Sequence, residues 1–290
     1  MLGVFFTKYC FAERYSNTYP NQRRTKGTFV EASEAESILA VTRTLKDRLV
    51  ETLGLKIVRG QIAPGEILQL ESVALEESVS LSVVREAVGV LTSLGLVESR
   101  KKLGTVVQKS DCWKHASPEV IRWRLLDPKQ RLQQLHWLVE LRHALEPTAS
   151  SLAAAHRSSE AAARLLEISC ELSNFVKDGD MQGFLKADVE FHDRILHESA
   201  NPLIASLSQH VNTILSVRHI FGLMPSKPDT QALNFHKILA QAIDQQDEEL
   251  AFSSSSQIVE QATEEFMQAA EFSYGSPEDP PNFSPLNVSE

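Results

Sequence analysis

The chain has 290 residues, 42% of them apolar and 23% charged, which is long enough for two domains with their own cores and ordinary for a globular protein. No apolar run approaches the roughly 18–20 residues of a membrane span, and Met1 to Phe6 is too short for a secretory signal core, so no membrane partner is expected. Cys10, Cys112 and Cys170 are few, odd in number and far apart, which argues against a disulfide framework or a cysteine metal knot and fits a reducing, cytoplasmic setting. The net charge of −9 is uneven: residues 1–110 carry 15 Lys and Arg against 12 Asp and Glu, whereas residues 111–290 carry 14 against 26.

In chain order, residues 1–36 are polar and aperiodic, with Arg23, Arg24 and Lys26 near Pro20, and read as a disordered extension. Leu45, Leu49, Leu53 and Val58 then recur at helical spacing until Arg59-Gly60, and Pro64-Gly65 forces a turn. Ile67 to Leu70 is a short extended piece, and a brief helix covers about 71–77. Ser80 is placed to cap a helix over roughly 81–94, whose Val84, Ala87, Val88 and Leu91 face inward and whose stop is Gly95. Val97 to Arg100 and Gly104 to Val107 flank a basic turn and read as a hairpin. Residues 37–110 thus predict three helices followed by a two-stranded wing.

Residues 111–131, with Ser117-Pro118 and Asp127-Pro128, read as a linker. From 132 to 272 the pattern is helical throughout, with breaks at Asp178 to Asp180, at Asn201-Pro202 and between Met224 and Pro228, which predicts an all-α bundle of six or seven helices. Residues 273–290 hold four prolines among Ser, Asn and Gly and read as a disordered tail. The fold class is therefore mainly α, a winged helix-turn-helix joined to a helical bundle.

A helix that enters the DNA major groove needs small or polar residues at its exposed N-terminal end and a cation that can meet a guanine edge or a phosphate; Ser80, Ser82 and Arg85 supply them. A wing needs a tight cationic turn to straddle the backbone or the minor groove, and Arg100, Lys101, Lys102 and Gly104 supply that. In the bundle, Asp188 and His192 stand four apart and share one helix face, a carboxylate and an imidazole spaced for Zn²⁺ or a similar ion.

Residues 42–107 resemble the winged-helix domain of GntR-family transcription regulators: Arg59-Gly60, Pro64-Gly65, Val73-Ala74, Val84 to Ala87, Leu91, Gly95 to Val97 and Gly104 fall in register. Residues 134–265 resemble the all-helical effector domain of the FadR subfamily through Glu140 to Arg142, Leu145 to Pro147, Asp188 with Phe191-His192, Asn201 to Leu203, and His236 with Ile238-Leu239. The pattern departs at Leu81, where the family usually carries Arg, and at Glu71, where some members carry a basic residue. The resemblance implies a homodimer on double-stranded operator DNA, an effector site for a small carboxylate formed by Arg142, Asp188, His192, Asn201 and His236, and a metal site formed by Asp188, His192 and His236. The register puts Ile258 where a fourth ligand is expected. Arg142 also stands four residues before Glu146, so an ordinary ion pair along the helix is the other reading of that arginine. The segment from Pro118 to Leu125 looks most like members that sense sugar acids.

The first reading is therefore a ligand-responsive repressor that controls uptake or breakdown of a small organic acid. Two others stay open. One is a metal-dependent hydrolase built on Asp188, His192 and His236, which lacks a positioned base or nucleophile, so an enzyme is not expected. The other is a dimeric interaction module with a degenerate DNA head, suggested by Leu81 and Glu71.

Overall fold

A computed structural model describes residues 44–220 and 230–274; the expected extension over 1–36 lies outside the described residues, as do the break expected between Met224 and Pro228 and all of the tail expected over 273–290 except Ser273 and Tyr274, which end the last helix. Helix α1 (Leu45–Val58) starts where the Thr44 hydroxyl accepts the Asp47 N–H at 3.1 Å. Strand β1 (Ile67–Leu68) and helix α2 (Leu70–Glu76) follow, and then helix α3 (Leu81–Ser93), capped as expected by Ser80, whose oxygen accepts the Val83 N–H at 3.3 Å. Strands β2 (Val97–Arg100) and β3 (Gly104–Val107) form the wing. They pair antiparallel, Val97 opposite Val107 and Arg100 opposite Gly104, and β1 adds a third strand on the far side of β3.

The apolar face of α3 explains this head. Val84, Ala87, Val88 and Leu91 are buried against Leu49, Leu53 and Ile57 of α1. Gly95 adopts φ +79 just after α3, and an added Cβ there would collide with the backbone carbonyl of Cys112, so only glycine closes this corner.

The segment expected as a linker is instead a structural joint. It holds helix α4 (Pro118–Leu126), started by the Ser117 hydroxyl and by Pro118 in the first turn. Val120 and Trp123 enter the head core, while Ile121 and Leu125 pack with residues of the bundle. The Trp123 ring lies against Gly54 of α1, where a Cβ has no room. Its indole N–H donates to Glu51 at 2.8 Å, and Arg122 pairs with the same carboxylate. Gln130 then donates to the Val58 carbonyl at 2.6 Å. Composition suggested a linker because Ser, Asp and Pro punctuate it, but those residues are the caps and ends of a helix buried on both sides.

The bundle comprises α5 (Arg131–His156), α6 (Ser159–Asp178), α7 (Met181–Glu198), the single turn α8 (Pro202–Ala205), α9 (Ser208–Ile220), α10 (Thr230–Asp244) and α11 (Glu248–Tyr274). Gly179 ends α6 at φ +73, the break expected there. Helix α11 lies along α5; α10 packs on α11 and α6; α7 packs between α5, α6 and α9. The common core includes Leu165, Ile168, Leu172, Phe191, Leu196 and Leu239, all fully buried.

Candidate functional site

Two places carry chemistry. The first is the surface of the head expected to meet DNA. Ser82 and Arg85 are exposed on the opening turns of α3, beside Ser80, whose oxygen already serves the helix cap. At the wing tip, the Leu103 N–H donates to the Arg100 carbonyl at 3.1 Å and closes a turn whose third residue, Lys102, has φ +68. A left-handed φ at that position suits glycine, and a lysine there is strained by about 1 kcal/mol or more. Gly104 follows at φ +94. Arg100 is tied to Glu98 at 2.8 Å, an exposed pair, whereas Lys101 and Lys102 are exposed with no ion pair or hydrogen bond from their side chains among the described residues. Of the three predicted wing cations, two project freely and one is already matched.

The second place lies inside the bundle. Asp188 and His192, one turn apart on α7, meet His236 of α10, all three buried, with one ligand atom of each within 4.8 Å of the others. The fold thus brings the three predicted metal-site residues together. His236 Nδ1 lies 2.7 Å from the Ala232 carbonyl of its own helix, so that nitrogen donates, and in a neutral ring Nε2 then holds the lone pair. His192 Nδ1 lies 2.6 Å from Glu146 Oε2, and the same logic leaves its Nε2 with the lone pair. These two Nε2 atoms stand 3.2 Å and 3.7 Å from Asp188 Oδ1, and neither makes a hydrogen bond among the described residues. A buried acceptor without a partner costs about 1–3 kcal/mol. Two such lone pairs converging on one carboxylate form a set of nitrogen and oxygen donors that suits Zn²⁺ or a related divalent ion.

Glu146 is the buried neighbour of this cluster that sequence reasoning did not place there. Its spacing was read only as a competitor for Arg142. In the fold it does pair with Arg142: the guanidinium Nε donates to Oε1, and Nη2 donates to Oε2 at 3.3 Å. Arg142, 2% exposed, thus makes the intrahelical pair with an internal carboxylate. Burial opposes ionisation of Glu146, but the Arg142 charge, with the contacts from His192, holds its carboxyl far below the usual carboxylate range. Burial likewise works against the Arg142 charge, and Glu146, then Asp188, raise its value instead.

Asn201, also expected at the effector site, acts locally. Its side-chain oxygen accepts the N–H groups of Leu203 at 3.0 Å and Ile204 at 3.4 Å and starts α8. Ile258 is buried in the bundle core, so the position expected for a fourth ligand is apolar.

Comparison with known proteins bears on both places. Residues 45–107 match the model of bacterial regulatory proteins of the gntR family, and residues 138–261 match that of the FCD domain. The chain is 30% identical over 217 residues to the HTH-type transcriptional regulator YieP of Escherichia coli, covering 74% of this chain and 93% of that protein. It is 27% identical over 228 residues to the galactonate operon transcriptional repressor of Escherichia coli, covering 77% and 97%. It is 35% identical over 162 residues to the HTH-type transcriptional regulator LutR of Bacillus subtilis, covering 55% and 70%.

Proposed function

Because the chain belongs to the GntR family and is a ligand-responsive DNA-binding transcription regulator, we propose that it is a repressor whose bundle binds a small organic acid at a divalent ion. The observation that carries this is the pair of buried Nε2 atoms of His192 and His236, which make no hydrogen bond among the described residues and converge on the Asp188 carboxylate. Asp188, His192 and His236 would hold the ion, which when bound supplies a Lewis-acidic position for a carboxylate oxygen. With Ile258 in the apolar core, three protein ligands leave coordination positions for the acid. The name of one relative, the galactonate operon repressor, supports an acid derived from a sugar, and that of another, the probable D-xylose utilization operon repressor of Paenarthrobacter nicotinovorans, supports a link to sugar metabolism.

On the DNA side, Ser82 and Arg85 read the major groove from α3, while Lys101 and Lys102 meet phosphates from the wing. Two copies of the chain bind half-sites roughly one helical turn apart. Helix α4 is the mechanical link, since its two faces lie in the head core and against the bundle. Binding of the acid changes DNA affinity only as far as the acid prefers one placement of the heads over the other.

The test is a mobility shift on genomic fragments, with the chain loaded with Zn²⁺ or stripped of metal, in the presence and absence of sugar acids. Sequence-selective binding that an acid releases only from the loaded chain supports the reading. No selective complex at low salt rules it out.

A further inference from the structure

We propose that Glu146 is the positioning residue of the buried cluster: anchored by Arg142, it holds the proton of His192 on Nδ1 and aims the Nε2 lone pair at Asp188, without touching the ion itself. The proposal rests on the ligand assignment above and deepens it.

A neutral imidazole has one N–H and one lone pair, and the hydrogen bond made by one nitrogen decides what the other can do. For His236 that choice is made by the backbone, since the Ala232 carbonyl four residues earlier on α10 accepts from Nδ1 at 2.7 Å. For His192 it is made across a helix interface: the ring is on α7, and the Glu146 carboxylate at 2.6 Å is on α5. Without that acceptor, the ring could place its proton on Nε2, which faces Asp188 Oδ1 at 3.7 Å. One of the two convergent lone pairs would be lost, and with it a metal ligand.

Glu146 can do this because it is itself held. Both of its oxygens take guanidinium N–H groups from Arg142, one turn earlier on the same helix, and Oε2 is shared between Arg142 and His192. Arg142, Glu146 and His192 are each no more than 3% exposed, so water does not compete for these bonds. A carboxylate in this place also makes the imidazole a more basic ligand than a carbonyl would, and loss of such outer partners typically weakens metal affinity by about 10–100-fold.

The experiment uses the full-length chain and Co²⁺ as the probe, with two readouts: Co²⁺ affinity, and the nitrogen chemical shifts of His192 in the metal-free protein. The variants are Glu146→Gln, which keeps an oxygen for His192, and the double change Arg142→Met with Glu146→Leu, which removes both buried charges together so that neither is left unpaired. The expected result is wild-type His192 protonated at Nδ1, a mixture of tautomers in the double variant, and Co²⁺ binding weakened about 10–100-fold there, with Glu146→Gln between. A folded double variant with wild-type Co²⁺ affinity, or with His192 still protonated at Nδ1, overturns the proposal. If wild type itself fails to bind Co²⁺, the ligand assignment falls, and the metal-free nitrogen shifts still decide separately whether Glu146 sets the tautomer.

Discussion

The wing and the buried cluster use charge in opposite ways. At the wing tip, Lys101 and Lys102 stand in solvent with no protein partner among the described residues, and Lys102 occupies a left-handed backbone position that glycine would fill without strain. In the bundle, Arg142, Glu146, Asp188, His192 and His236 are all buried, and Arg142, Glu146 and His192 form one connected chain of contacts. The difference follows from where each meets its partner. A cation meant for phosphate gains by being free until DNA arrives, because affinity then comes from released counterions. A ligand atom meant for an ion gains by being fixed beforehand, because ordering it on binding would cost free energy. The same contrast separates stability from function: charges at the tip contribute little to folding, while those in the bundle cannot be altered singly without large cost.

That contrast can be broken most directly at its two arginines. Arg142→Ala leaves the Glu146 charge buried with only His192 beside it, and should destabilise the chain by about 3–5 kcal/mol. Arg100→Ala removes an exposed pair and should stay within about 0.5 kcal/mol of wild type. Urea unfolding of both variants measures the gap; equal midpoints would show that burial does not separate the two sites.

A second effect, smaller because it is reached only in acid, concerns Glu146. Its carboxyl is lowered from the ordinary value of 4.5 in the folded chain, so the unfolded chain takes up the proton first as pH falls. Its contribution to stability is complete above that ordinary value and is lost progressively below it. Compared with wild type, the double change Arg142→Met with Glu146→Leu should flatten this part of the stability curve, followed by urea unfolding between about pH 6 and about pH 3.

The smallest change should come from Lys102→Gly, with opposite signs on folding and binding. Relief of the φ +68 conformation should raise stability by about 1 kcal/mol or more. Loss of one phosphate contact per copy, two in the dimer–DNA complex, should reduce the slope of log affinity against log salt by about 2. A variant that is more stable but keeps the wild-type salt slope would remove Lys102 from the DNA surface.

The head was largely legible in the sequence. The inward face of Val84, Ala87, Val88 and Leu91, the cap at Ser80 and the stop at Gly95 are local signals, each fixed within a few residues by helix periodicity or by backbone sterics. The three residues of the candidate ion site were legible only in part. Asp188 and His192 share a helix turn and can be paired by counting, but His236 comes from another helix, and only its likeness to a family pattern pointed to it. The joint was misjudged because caps and prolines punctuate a buried helix as they punctuate a linker. Nothing local reveals that Trp123 lies on Gly54 or that Gln130 reaches the Val58 carbonyl.

By itself, then, the sequence determined the two-domain order, the helical periods, the cationic wing tip and one turn of the ligand set, all of which depend on neighbours along the chain. Only the tertiary structure decided that Arg142 is occupied by Glu146, that Glu146 also holds His192, and that two imidazole lone pairs converge on Asp188. Those facts depend on how α5, α7 and α10 pack, and hydrogen bonds between side chains on separate helices leave no periodic trace in the order of residues.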